Sequence, residues 1–241
     1  MSGFESVFFD LKGTLWDNIA CAEHVMGVTM PKLMSHLPED EDEDEVRRRF
    51  NAALLQGVRE DGLGANNRFS ARDRFGRLLK SYGIDQPEIA RQLSSHYNSA
   101  RRFAMRGTVR KGARAVLKRL RADNVSVGVI TNGGPAVQRH LLRALALDDL
   151  LDHVISGEIE GHNKPDPRLF ERALEVVNLP PEQMLYVGDS LFTDILGAKR
   201  AGIPVAWLHS GEANIPEQLA EPDYIIEELE AVLQIVRERS E

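Results

Sequence analysis

The hydrophobic rhythm of the chain changes near residue 107. Beyond it, short β-branched runs alternate with stretches whose apolar residues recur every three or four positions. VSVGVI (125–130) predicts a buried strand and HVIS (153–156) a short one. MLYVG (184–188), IPVAWL (203–208) and DYII (223–226) predict three more. Between them, PAVQRHLLRALAL (135–147) places Val137, Leu141, Leu142 and Leu145 on one helical face. PRLFERALEVVN (167–178) turns Leu169, Phe170, Ala173, Leu174 and Val177 inward, and Pro167 directly after Asp166 suits the first helical position. A helix over about 192–200 stops at Gly202, and a last one runs through EELEAVLQIV. Strands alternating with helices predict an α/β class: a Rossmann-like parallel sheet with helices on both faces.

Residues 17–105 read differently. Helical periods cover about 18–36, 45–59, 70–82 and 86–104, with no convincing strand among them, whereas SVFFD (6–10) just before is a strand. The expected organisation is an α/β core made of 1–16 and 107–241, split by an inserted helical domain over 17–106. In the insertion, Phe69, Phe75 and Tyr82 fall at helical spacing and are expected in a core. His24, His36 and His96 are expected at the surface or partly buried, and Trp16 borders the start of the insertion.

Composition narrows the function classes. With 241 residues, 42% of them hydrophobic, the chain can bury a sizeable core, and its net charge of −7 argues against binding nucleic acid or a membrane surface. Cys21 is the single cysteine, which excludes an internal disulfide and suggests a reducing compartment. No apolar stretch approaches the roughly 20 residues of a membrane span. MSGFESVFFD lacks a basic leader, so a cytoplasmic location is expected. The acidic tract EDEDEDE (39–45) lacks the glycine and terminal glutamate of a calcium loop and reads as a solvated lead-in to a helix. The basic residues Arg101, Arg102, Arg106, Arg110, Lys111 and Arg114 have no interleaved aromatics to suggest nucleic-acid binding.

In an open parallel sheet, ligands bind beyond the carboxyl ends of the strands. Asp10 ends the first strand. Thr131 and Asn132 follow VSVGVI and run into Gly133-Gly134. Asp189 follows MLYVG, Asp194 comes five residues later, and Lys164 precedes the Pro167 helix. Each alone reads as a cap, a turn or a solvated lysine. Together, three carboxylates, a lysine and a Thr-Asn-Gly turn make a consistent anion-and-metal site.

DLKGT (10–14), ITNGG (130–134), KPDP (164–167) and GDSLFTD (188–194) resemble the four motifs of the haloacid dehalogenase-like hydrolase superfamily, in order and over essentially the whole chain. The resemblance implies an α-helical cap domain inserted after the first motif and a helical turn with a hairpin-like flap after Asp10. It implies Asp10 as the nucleophile that takes a phosphoryl group from a small phosphorylated metabolite. Thr131, Asn132, Gly133 and Lys164 would bind that group. Asp10, the Lys12 carbonyl, Asp189 and Asp194 would hold Mg²⁺.

Lys12 departs from the pattern. The family's phosphatases usually carry a second aspartate there, which protonates the leaving oxygen and then activates water. An ammonium can donate a proton, but with an ordinary pKa near 10.4 only about one lysine in two thousand is neutral at pH 7. Three readings follow. The chain is a phosphatase with a slow second step; it is a dehalogenase- or phosphonatase-like hydrolase; or it binds a phosphorylated ligand or partner without turnover.

Overall fold

In the computed structural model, which describes residues 3–61, 71–133, 135–209, 215–216 and 220–239, the chain forms two units. Met1–Asn18 joins Thr108–Glu241 in one, and Ile19–Gly107 forms the other.

Among the described residues, the first unit is built on six strands: β1 (Ser6–Phe9), β2 (Ser126–Thr131), β3 (His153–Ser156), β4 (Met184–Gly188), β5 (Val205–Leu208) and β6 (Tyr224–Ile226). All pair in parallel, in the order β3-β2-β1-β4-β5-β6. The chain winds outward one way from β1 to β3, crosses back, and winds the other way from β4 to β6. The order therefore reverses between β1 and β4, where a crevice opens at the strands' carboxyl ends. The side chains of β1 and β4 are buried throughout, as expected of a sheet covered on both faces.

The insertion carries α1 (Asn18–Met34), α2 (Glu43–Asp61), α3 (Ala71–Ser81) and α4 (Pro87–Gly107). The later helices are α5 (Ala113–Ala122), α6 (Pro135–Leu145), α7 (Gly157–Glu160), α8 (Pro167–Val177), α9 (Leu196–Arg200) and α10 (Ala231–Glu238). In the first unit, α5 packs on β2 and against α10, whereas α8 packs on β2 and β3 and against α9. Phe8, Ile130, Tyr186, Phe170, Leu169 and Ile195 fill the core beneath α8 and α9. The start of α8 is the one its sequence predicts: Asp166 caps it by accepting from the Arg168 N–H, and Pro167 takes the first turn.

The second unit has its own core. Met30, Leu33, Val46, Phe50, Phe75, Leu78 and Leu93 come together from α1 to α4, with the Phe50 and Phe75 rings 4.8 Å apart. Tyr82 packs at the edge of this core; Phe69 lies outside the described residues.

Several boundaries differ from the sequence reading. The helix after the acidic tract starts inside it, at Glu43, because three acids in the first turn favour a helix N-terminus and Asp42 accepts from the Glu45 N–H. The sequence reading gave no helix to 113–122, yet Ala113, Val116, Leu117 and Leu120 are the buried stripe of α5. The segment read as a helix from about 192 opens as a π-helical turn, Leu191–Ile195, before α9. The final helix begins at Ala231, after the bends of the EEL segment. Among the described residues, no helix is long and apolar enough to cross a membrane.

Candidate active site

Sheet geometry brings the motif residues together at the β1–β4 reversal. Asp10 follows β1 directly and stays in the ladder by donating its N–H to the Val187 carbonyl at 2.8 Å. Asp189 follows β4, and Asp194 sits in the π-helical turn beyond it. Thr131 is the last residue of β2, and Lys164 lies in the loop before α8. Carboxylate oxygens of Asp10, Asp189 and Asp194 lie within 4.8 Å of one another. A pocket of about 240 Å³ opens over them, lined also by Lys12, Thr131, Asn132, Gly133, Lys164, Ser190 and Thr193.

Lys164 is the hub. Although it sits in a loop it is 5% exposed, where a solvated lysine would be open to water. Its Nζ donates to Asp10 Oδ1 at 2.5 Å, to Asp194 Oδ1 at 2.7 Å and to the Tyr186 hydroxyl at 3.0 Å. The Tyr186 hydroxyl in turn donates to Asp194 Oδ1 at 3.1 Å, and the Ser190 N–H to Asp194 Oδ2 at 3.1 Å. The backbone of Lys164 is clamped by Asn132: its N–H donates to Asn132 Oδ1 at 2.7 Å, and Asn132 Nδ2 donates to its carbonyl at 3.2 Å. The turn after β2 therefore positions the lysine as well as lining the pocket. The Ser156 hydroxyl donates to the Gly133 carbonyl at 2.6 Å and ties this turn to β3, while Gly134 lies outside the described residues.

The loop after Asp10 folds back on itself. The Gly13 N–H donates to the Trp16 carbonyl at 2.8 Å, and the Trp16 N–H to the Leu11 carbonyl at 2.9 Å. Thr14, fully buried, donates to Asp189 Oδ1 at 2.9 Å. Gly13 has a φ of +92°, and a Cβ there would collide with the Asp189 carboxylate; a Cβ on Gly188 would collide with Asp194. These two glycines let carboxylates approach where a side chain would exclude them. Trp16 is buried, with its indole donating to Thr108 Oγ1 at 3.0 Å.

Crowding and burial shape the charges. Burial pushes the Asp10 carboxyl up to about 7; Lys164 opposes the shift, and Asp194 and Asp189 add to it. Burial also raises the Asp189 carboxyl, helped by Asp194 and opposed by the Thr14 hydroxyl. Burial works against the Lys164 charge, but Asp194 and Asp10 outweigh it and hold the ammonium above its ordinary range. Burial, then Asp194 and Asp10, pushes the Tyr186 phenol well above its ordinary range, so it stays a neutral donor. Three carboxylates thus face one buried ammonium. That surplus of hard, anionic oxygens fits a divalent cation such as Mg²⁺.

Lys12 stands apart. It is exposed and lines the pocket, while both ion pairs of the cluster belong to Lys164. Tyr186, Thr14, Ser190 and Thr193 were not singled out in the sequence. Tyr186 carried one signal: a polar-tipped ring in an otherwise apolar strand, on the same face as Gly188.

A family model described as haloacid dehalogenase-like hydrolase matches residues 4–202. Over 241 aligned residues, 98% of this chain and 94% of the relative, the chain is 32% identical to the glyceraldehyde 3-phosphate phosphatase of Pyrococcus furiosus. It is 30% identical to the phosphoglycolate phosphatase of Rhodospirillum rubrum, over 88% of this chain and 82% of that one. Among solved structures, the HAD-hydrolase YfnB from Bacillus subtilis, bound to magnesium, matches with a TM-score of 0.68 at 23% identity, covering 98% of this chain and 99% of its own.

Proposed function

The chain belongs to the haloacid dehalogenase-like hydrolase family, and from that premise we propose a Mg²⁺-dependent phosphatase of small phosphorylated metabolites that works through a phosphorylated Asp10. One observation carries the reading. Asp10 lies at the sheet's reversal point, on a pocket, with two further carboxylates and a buried lysine converging on it.

In this reading, Asp10 Oδ2 attacks phosphorus while Lys164 holds Oδ1, the P–O ester bond breaks, and the leaving oxygen takes a proton from water and departs as the alcohol. Thr131 and the backbone N–H groups of Asn132 and Gly133 bind the phosphoryl oxygens. Asp10, Asp189, Asp194 and the Lys12 carbonyl would hold the cation. The chemistry it supplies when bound is neutralisation of charge on the phosphoryl oxygens. Tyr186 and Asp194 keep the Lys164 ammonium on its line to Asp10. Water then attacks phosphorus, the P–O bond to Asp10 breaks, and phosphate leaves. This second step lacks the carboxylate base that an aspartate at position 12 would supply, so turnover is slow.

The exposed lysine at that position favours one second reading, a phospho-ligand binder without turnover. The three-carboxylate cluster weighs against a dehalogenase, which needs no metal.

Phosphate release from an aryl phosphate, glyceraldehyde 3-phosphate and phosphoglycolate, with Mg²⁺ and with EDTA, tests the proposal. EDTA abolishes release, Asp10→Asn lowers it by about 10⁴-fold, and Lys12→Asp speeds it. Ligand-induced stabilisation without any phosphate release would replace the phosphatase with the binder.

A further inference from the structure

The cations around the pocket are not equally available to a ligand. Lys164 has three N–H donors and three protein partners, Asp10 at 2.5 Å, Asp194 at 2.7 Å and Tyr186 at 3.0 Å, so its ammonium is saturated. Arg110, on the segment that returns beside the Asp10 loop, is committed as well: Nε donates to the Thr14 carbonyl at 2.8 Å, and the guanidinium also donates to the Gly13 carbonyl. Lys12 alone, among the described residues lining the pocket, is an exposed cation outside the ion pairs of the cluster.

Formal charge gives this a direction. Three carboxylates against Lys164 sum to −2; a divalent ion brings the site to zero, and Lys12 brings it to +1. An aspartate at position 12 would instead leave it at −1. The change of two units falls on an exposed lining residue, not on buried Lys164, which already holds the ion pairs. It therefore acts on the part of the substrate beyond the transferring phosphoryl group.

Resting on the phosphatase reading, we propose that Lys12 is a specificity-determining residue. It receives a second anionic group, a carboxylate or another phosphate, carried on the carbon next to the ester. The substrates are then short phosphate monoesters with two acidic ends, bound at one end by the Thr131–Gly133 turn and at the other by Lys12. A charge-assisted hydrogen bond of this kind, at an exposed site, gives a preference of about tenfold over a neutral analogue.

The test compares 2-phosphoglycolate, the bisphosphate of ethylene glycol and 2-hydroxyethyl phosphate with the Mg²⁺-loaded protein. Wild type prefers an acidic ester over the neutral one by about tenfold in kcat/KM, mainly through KM. Which acidic ester wins assigns the carboxylate or the phosphate. The ratio falls to near one in Lys12→Met, is largely kept in Lys12→Arg, and shrinks as salt rises from about 50 to about 500 mM. Calorimetry with phosphonoacetate and ethylphosphonate reads the same preference without catalysis. If no ester is hydrolysed, the phosphatase reading fails, and calorimetry still decides on Lys12. A Lys12→Met protein that keeps the wild-type preference, or a wild type with none, overturns the proposal.

Discussion

In the helical unit, opposite charges meet at the surface and close to one another in sequence. Arg91 pairs with Glu88 at 2.8 Å, Arg47 with Glu43 at 3.0 Å, and Arg48 and Arg49 both with Glu45, each pair three or four residues apart on one helix. In the α/β unit, Lys164 meets Asp10 across 154 residues and Asp194 across 30, with Asp194 only 1% exposed. The first arrangement follows from helical spacing and adds little, because water already solvates such charges. The second removes water from several charges at once, and its cost is offset only by close pairing and further hydrogen bonds. A fold that needed only stability would fill that space with apolar side chains. Charges kept there, one lysine against three carboxylates, support the proposal that the chemistry takes place in this pocket.

Three experiments strain this contrast. The largest effect is expected on removing the hub. Lys164→Met leaves buried carboxylates unpaired and lowers the unfolding free energy by about 3–5 kcal/mol, read by urea denaturation, whereas Arg91→Met in the helical unit leaves the midpoint within error. Equal losses would mean that burial of the cluster has no energetic consequence. Next comes the cation. Saturating Mg²⁺ at about a hundred times its Kd should stabilise wild type by about 2.7 kcal/mol, seen as a rise in Tm, and Asp189→Asn should lose that rise. The smallest effect lies at a half-buried charge of the α/β unit itself. Hydrogen bonds from the Arg168 side chain and backbone N–H hold the Asp166 carboxyl down to about 2. A lowered carboxyl stabilises the fold above its unfolded pKa, near 4, and that contribution is lost as pH falls toward 2. Asp166→Ala should therefore have a slightly lower Tm than wild type at pH 7, a gap that narrows steadily below pH about 4.

Much of this was legible before any coordinates. Six short apolar runs separated by helical stretches specified a parallel α/β sheet, and the change of rhythm after SVFFD marked the inserted helices. Asp10, Thr131 and Asp189 stood out because polar residues end apolar runs, and Asp194 because it follows five residues after Asp189. Helix α5 was readable from Val116, Leu117 and Leu120 but lay among the arginines and lysines of 110–121, whose charge masked the stripe. Tyr186 and Thr14 gave too little away, since a hydroxyl's partner is set by what lies opposite it in space.

The sequence by itself determined which segments are strands and helices and where acidic residues fall at strand ends, because those features depend on periodicity and neighbours a few residues away. Only the tertiary structure decided that β1 and β4 lie side by side, that Lys164 is buried with its donors all taken, and that Lys12 is left open on the pocket. Ser6 pairs with Met184, and Lys164 meets Asp10 across 154 residues; contacts that distant lie outside any local pattern, so none encodes which of two lysines will end inside.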